Sequence, residues 1–273
     1  MVNPIHVNPS VASRHLTEGG SDWLWVVTTI MGFSTLAVFT WAKLQPRGAR
    51  AFHYIAVVIL TVSSIAYFAM ASNLGQTSVR TEFRVRSPTR SIFWVRYIQW
   101  FINAPLILLM LLLTTGLPLS DLFFTLFMIL VTVVMGLVGA LTPTSYKWGF
   151  FVFGVITLLY VAYTLLIKGL GSRLLAKKSF YGFAAGYTTF IWLLYPICWG
   201  LSEGSNVISV TGEAVFYGVL DLFAGPLFLF CFLGGLQDIE YESLGLQSGK
   251  VSDYVGVGAR PSEKAQEAGA AAT

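Results

Sequence analysis

Seven apolar runs, each long enough to cross a lipid bilayer, follow one another along the chain. They lie at about residues 23–43, 51–72, 92–115, 119–141, 148–168, 180–201 and 212–236. A transmembrane helix needs about 20 mainly apolar residues. Charged residues make up only 11% of this chain, whereas a soluble domain has about 25%. The sequence therefore predicts an all-α membrane protein built as a bundle of seven transmembrane helices.

The two ends of the chain are polar. Residues 1–22 are expected to form a polar N-terminal segment, because they lack the basic flank and short apolar core of a signal peptide. Residues 23–237 are the predicted transmembrane domain, and residues 238–273 are predicted to be a mostly disordered tail. An odd number of helices places the termini on opposite sides of the membrane. Lysine and arginine are shared so evenly between the two sides that their distribution does not fix the orientation.

Several functional classes find no support in the sequence. The net charge of +4 is small and scattered, which argues against nucleic-acid binding. We find no metal-ligand spacing of Cys and His, no phosphate-binding loop and no nucleophile paired with a base. The sequence therefore predicts no catalytic residue, no metal site and no enzyme activity.

The link between the second and third runs is strongly charged. Residues Ser78–Val85 partly alternate polar and apolar side chains, which indicates a short β-hairpin at the membrane surface. We expect the charged side chains of this link to be solvated, with an anion or partner site as the alternative. They belong to Arg80, Glu82, Arg84, Arg86 and Arg90.

One acid, Asp221, lies near the middle of the last apolar run. Placing an ionisable side chain in hydrocarbon costs roughly 2.5–3.5 kcal/mol, so Asp221 should face the interior and have a partner. An inward stripe on the third helix is formed at helical spacing by Arg96, Gln99, Trp100 and Asn103. We expect Arg96 and Asp221 to neutralise each other. We therefore expect Asp221→Ala to lower thermal stability more than Glu213→Ala.

The sixth helix has an aromatic face and is expected to kink at Pro196. Its aromatic residues, at helical spacing, are Trp192, Tyr195 and Trp199. Such a face is usually core packing, but in a membrane bundle with buried charged groups it can equally line a ligand pocket. Both interpretations stay open from the sequence.

Four motifs together resemble the microbial (type 1) rhodopsins, with the fungal branch most similar. They are RYIQWFINAPLILL, GLVGALT, WLLYPICWGLSEG and VLDLFAGPLF, in this order. They match helices three, four, six and seven of that superfamily, and the resemblance extends over about residues 22–237. It implies the seven-helix bundle of that type in the plasma membrane, with the N-terminus outside and the C-terminus in the cytoplasm.

The resemblance also implies a role for individual positions. The equivalents of the retinal pocket are Trp100, Asn103, Trp192, Tyr195, Trp199 and Gly225. The equivalents of the counterion complex are Arg96, Gln99, Tyr67 and Asp221. Glu203 and Glu213 correspond to the proton-release pair, and Met110 to the cytoplasmic proton donor.

Three of these positions depart from the pattern of a light-driven pump. The family binds retinal through a helix-seven lysine four residues after the aspartate, and here that position is Gly225, which has no amine. The primary proton acceptor is replaced by Gln99 and the proton donor by Met110. Without a cationic imine, a carboxylate at position 99 would be uncompensated in a low dielectric, so the changes are chemically coherent. The resemblance thus implies a fungal opsin-related protein that lacks the retinal-binding lysine.

The leading functional hypothesis is a retinal-free protein linked to stress, because such relatives are described as chaperone-like or as restraining the proton ATPase of the plasma membrane. Its partners would be the lipid bilayer and another membrane protein such as that ATPase, or a second copy of this chain. Gly136 and Gly139 are candidate contacts for a partner, and the alternative is that they pack inside the bundle.

Two other hypotheses follow from the same residues. The first is a binding protein that holds retinal or another apolar ligand without a covalent bond, since no covalent cofactor is expected. The second is transport. Light-driven pumping or photosensing is disfavoured by Gly225, Gln99 and Met110, whereas passive conduction along the buried charged groups stays open.

Overall fold

The structure is a computed structural model that describes residues 3–46, 49–83, 88–172 and 177–236. The predicted tail, residues 238–273, lies outside the described residues. The same is true of Arg84 and Arg86 in the charged link.

Seven helical spans form a bundle within the described residues, which confirms the predicted fold class. A short helix, α1 (Pro4–Val7), precedes them. The first five spans are α2 (Glu18–Leu44), α3 (Ala51–Ala71), α4 (Trp94–Leu113), α5 (Leu119–Leu141) and α6 (Lys147–Tyr163), which continues as a π-helix over Thr164–Gly169. The sixth is α7 (Lys178–Trp199), which continues as a π-helix over Gly200–Gly204. The seventh is α8 (Val210–Leu222), a π-helical segment (Phe223–Leu227) and α9 (Phe228–Leu236). Six spans are long and apolar enough to cross a membrane, and α7 packs among them.

Local sequence explains where the first and last spans change course. The Thr17 side chain caps α2 by accepting a hydrogen bond from the Gly20 amide at 3.2 Å, so this helix begins five residues before the predicted 23. In the last span, Pro226 has no amide hydrogen to donate to the preceding turn. The chain widens there into the π-helical segment Phe223–Leu227.

The charged link folds as the predicted hairpin, although its second strand lies further along the chain. Strand β1 (Thr77–Arg80) pairs antiparallel with β2 (Thr89–Ile92), which places Thr77 opposite Ile92. The polar N-terminal segment runs beside β2. The Arg14 amide donates to the Thr89 carbonyl at 3.0 Å, and the Ser91 amide donates to the Arg14 carbonyl at 2.9 Å. This hairpin and segment together cover one end of the bundle.

The polarity of the bundle is that of a membrane protein. Large apolar side chains point outward, including Phe33, Phe123 and Ile156, each more than half exposed. Polar and ionisable side chains are instead buried between the helices, among them Arg96, Gln99 and Asp221. The predicted inward stripe on α4 is therefore correct.

Gly136 and Gly139 pack inside the bundle. A Cβ atom added to Gly136 would lie 3.2 Å from Tyr97 Cε1, and one added to Gly139 would lie 3.0 Å from Trp199 Cζ2. Both distances are too short for comfortable packing. Of the two interpretations left open by the sequence, these contacts support packing within the bundle, and a role of either glycine in binding a partner stays a prediction.

We expect Gly139→Val to destabilise the bundle by roughly 1–3 kcal/mol, because the added methyl groups would press on the Trp199 ring. The matched control is Gly32→Val, since a Cβ on Gly32 meets no atom within 4 Å. Thermal unfolding of the purified variants in detergent measures the difference. Equal melting temperatures would show that Gly139 does not pack as described.

Candidate functional site

A cavity lies within the bundle between α3, α4, α5, α6, α7 and the last span. Its volume is about 130 Å³, measured as the space open to the centre of a water-sized sphere, and one water needs roughly 10–15 Å³ on that measure. The cavity is therefore large enough for an organic ligand. All six positions that the resemblance assigns to the retinal pocket line it, namely Trp100, Asn103, Trp192, Tyr195, Trp199 and Gly225.

The aromatic walls of the cavity are held in place by contacts with one another. The Trp100 ring meets the edges or faces of Tyr195 and Tyr217, with ring centroids 5.1 and 4.9 Å away. The Trp199 ring stacks on Phe151, and its indole N–H donates to the Gly136 carbonyl at 3.1 Å. Because these rings cannot turn inward without losing such contacts, the cavity does not collapse.

The Asp221 carboxylate lies at the cavity wall and is 4% exposed. It accepts four hydrogen bonds from neutral donors on three other helices: Tyr67 Oη at 2.7 Å, Gln99 Nε2 at 3.0 Å, Trp100 Nε1 at 3.0 Å and Tyr195 Oη at 2.6 Å. The structure thus brings together Tyr67, Gln99 and Asp221 of the predicted counterion complex. The neutral amide at position 99 donates to Asp221, whereas a second carboxylate there would repel it.

Arg96 binds Glu213, so the predicted ion pair between Arg96 and Asp221 is wrong. Arg96 Nη1 donates to Glu213 Oε1, and both side chains are fully buried. Glu213 lies in the first turn of α8, eight residues before Asp221, which is about 12 Å along a helix at 1.5 Å per residue. Arg96 likewise lies in the first turn of α4. Arg96 therefore contacts Glu213, which lies at the same end of the bundle, and not Asp221, which lies in the middle of the bundle.

A second arginine, Arg90, completes this ion cluster. Arg90 Nη2 donates to Glu213 Oε2 at 2.7 Å, and Nη1 donates to Asn206 Oδ1 at 2.8 Å. The expectation that this side chain is solvated is wrong, since it is only 2% exposed. Its strand carries it inward under the N-terminal segment. One signal in the sequence could have predicted this contact. Glu213 lies at the start of the last span, and a buried carboxylate there needs a cation at that end of the bundle.

The two acids equated with a proton-release pair have different partners. Glu213 binds the two guanidinium groups, whereas Glu203 accepts from Tyr97 Oη at 3.0 Å and from the Ser202 hydroxyl. The Lys147 ammonium reaches the Glu203 backbone carbonyl at 3.3 Å. Each acid is therefore fixed within its own set of hydrogen bonds.

Met110 is completely buried on α4. Between Asn103 and Met110, the buried side chains of α4 are those of Ile107 and Leu108. A thioether cannot carry a proton, so the residue equated with the proton donor offers no proton transfer.

Retinal bound as in the family does not fit this cavity. The described residues that line it include no lysine, and Gly225 supplies no amine at the position that the resemblance assigns to the bond. A Cβ on Gly225 would approach only Met31, at 3.7 and 3.9 Å, which is ordinary van der Waals contact. The wall therefore has room for a side chain that the sequence does not provide. An apolar molecule held without a covalent bond is compatible with the aromatic lining.

The comparison with known families decides the identity of this seven-helix bundle. The family described as "Bacteriorhodopsin-like protein" matches residues 19–235. The chain belongs to the microbial rhodopsin family. It is accordingly a multi-pass membrane protein with an opsin fold.

Individual relatives of this microbial rhodopsin have diverse names. Protein FDD123 of Trametes versicolor is 54% identical over 252 residues, which cover 91% of this chain and 89% of that protein. The 30 kDa heat shock protein of Saccharomyces cerevisiae is 35% identical over 247 residues, with 78% and 71% covered. The crystal structure of the light-driven proton pump LR (Mac) from Leptosphaeria maculans superposes with a TM-score of 0.78 at 30% identity, covering 84% of this chain and 98% of that one. Family membership alone therefore does not distinguish a pump from a stress-associated protein.

We expect Glu213→Gln to destabilise the protein by roughly 3–5 kcal/mol, because it leaves two buried arginines without a counter-charge. Asp221→Asn should cost less, about 1–3 kcal/mol, because no ion pair is lost and the tyrosine hydroxyls can also accept, but the new amide nitrogen faces one N–H donor, that of Gln99 or Trp100. Thermal unfolding in detergent measures both changes. The control is Glu18→Gln, because Glu18 pairs with His6 on the exposed surface.

This order reverses the expectation drawn from the sequence. An Asp221→Asn variant that melts well below Glu213→Gln would contradict the assignment of the ion pair.

Proposed function

We propose that this chain is a retinal-free, non-photoactive opsin-related protein of the plasma membrane, associated with stress. The observation that carries the proposal is Gly225, which forms the cavity wall where the family pattern requires an amine. Gln99 and Met110 support it, because neither side chain accepts or supplies a proton as a pump requires. The Asp221 carboxylate already accepts hydrogen bonds from four neutral donors, so it does not need a cationic chromophore as its partner.

The name of one relative, the 30 kDa heat shock protein, supports the association with stress. A chaperone-like role, or regulation of a plasma-membrane proton ATPase, requires contact with another protein inside the bilayer. The outward faces of the helices, with large side chains such as Phe33, Phe123 and Ile156, are the surface for such a contact. We further propose that the N-terminus lies outside the cell and the C-terminus in the cytoplasm, as in the family.

A second candidate function is the binding of retinal or another apolar ligand without a covalent bond. The observation in its favour is the cavity itself, whose aromatic walls are held apart by their mutual contacts. A pocket that has lost its ligand altogether is under no constraint to keep such walls open.

Purified protein mixed with all-trans retinal should form no covalent adduct after borohydride reduction, because no amine lies at the cavity. Gly225→Lys should form one, since the wall accepts a side chain at that position. Gly225→Met is the matched control, similar in length but without an amine. Absorption spectra and the mass of the intact chain report the outcome.

A covalently coloured wild-type protein would overturn the proposal. Failure of a folded Gly225→Lys variant to react would show that position 225 is not the position of the family lysine.

The stress role should not depend on light. Deleting the gene is expected to change the activity of the plasma-membrane proton ATPase after heat or acid stress, and to do so equally in darkness and in light. Proton efflux from intact cells measures this activity, and a Gly32→Val strain serves as a matched control for expression of a variant chain. An effect seen only under illumination would contradict a non-photochemical role.

A further inference from the structure

Two buried amide oxygens at the cavity have no hydrogen-bond partner within the described residues. They are Gln99 Oε1 and Asn103 Oδ1. Both side chains line the cavity, and they are only 2% and 5% exposed. Buried polar atoms are almost always satisfied in folded proteins, so each such exception calls for an explanation.

The orientation of both amides is fixed by the groups that their nitrogens contact. Gln99 Nε2 donates to the Asp221 carboxylate at 3.0 Å. Asn103 Nδ2 donates to the Ile59 carbonyl at 3.2 Å and to Ser63 Oγ at 2.8 Å. Turning either amide over would place its oxygen against another oxygen. The two unpartnered atoms are therefore hydrogen-bond acceptors.

The donors that surround these oxygens are already engaged. The Ser63 hydroxyl donates to the Ile59 carbonyl at 2.9 Å. The hydroxyls of Tyr67 and Tyr195 and the indole N–H of Trp100 all donate to Asp221. A donor for the amide oxygens must therefore come from a molecule inside the cavity.

The rest of the lining is mostly apolar, and its hydroxyl on α5, that of Thr132, already donates to the Met128 carbonyl at 3.1 Å. The wall formed by α5 and α6, opposite Gln99 and Asn103, carries Ile129, Val133 and Leu158. A molecule that satisfies both sides has an apolar body and one polar end. An aldehyde or carboxylate at that end would bring oxygen against oxygen. A charged ammonium would have to compete for the Asp221 oxygens with the four neutral donors that already bind them.

We propose that this cavity binds an apolar alcohol, whose hydroxyl donates to the amide oxygen of Gln99 or Asn103. The proposal rests on the second candidate function, non-covalent binding, and adds the chemical class of the ligand. It also explains why the side chains at both positions are uncharged amides that face the cavity.

The test compares probes that share one tail and differ only in the polar end. All-trans retinol has a hydroxyl donor, whereas its methyl ether and all-trans retinal have acceptors only. Energy transfer from the cavity tryptophans to the polyene measures the dissociation constant of each probe with the purified full chain. We expect retinol to bind about tenfold more tightly than the methyl ether, which corresponds to 1.4 kcal/mol.

Asn103→Leu and Gln99→Met each remove one acceptor at similar volume. We expect the preference for retinol to fall below twofold in at least one of them. Thr61→Val is the matched control and should keep it, because Thr61 is exposed and its hydroxyl donates to the backbone of its own helix.

Each result has a separate meaning. If all three probes bind equally, water satisfies the amides, and the alcohol is wrong while non-covalent binding stands. If the preference for retinol survives in both acceptor variants, the alcohol proposal is likewise wrong, while non-covalent binding stands. If no probe binds, the second candidate function fails and this proposal fails with it.

Discussion

The structure depends on how a membrane-embedded carboxylate is satisfied without a cation. Asp221 accepts hydrogen bonds from Tyr67 on α3, Gln99 and Trp100 on α4 and Tyr195 on α7. Four neutral donors disperse its charge in the middle of the bundle, where each unmet polar group costs several kcal/mol. Because they come from three other helices, the same bonds fix the positions of four spans. The cavity is the space left between side chains held in this way.

The charged groups are separated along the bundle for the same reason. The fully buried ion pairs among the described residues lie at one end, where Glu213 binds Arg90 and Arg96 beneath the hairpin and N-terminal segment. A cation placed deeper, beside Asp221, would have displaced neutral donors that also hold the cavity walls. The helices are thus held together by ion pairs at the end beneath the hairpin, and by hydrogen bonds to Asp221 in the middle of the bundle.

The sequence predicted the features that depend on helical periodicity. It did not predict those that depend on how far along the bundle a side chain lies. Apolar runs placed the seven helices to within a few residues, and helical spacing placed Arg96, Gln99, Trp100 and Asn103 on the inner face. Spacing along one helix does not say which level of another helix it meets, so Arg96 was assigned to the wrong acid. Arg90 was missed because a charged link has no period that shows which side chains turn inward. Ser63 was missed although it lies one turn before Tyr67 on the same face of α3.

A bundle of this kind can outlast the loss of its pigment. If Asp221 were balanced only by a cationic chromophore, replacing the lysine would strand a buried charge and destabilise the fold. Its four hydrogen bonds do not involve position 225, so Gly225 removes the amine without breaking any of them. Two buried atoms at the cavity that lack a partner among the described residues are instead the amide oxygens of Gln99 and Asn103. The hydrogen bonds that hold Asp221 therefore do not depend on a chromophore at position 225.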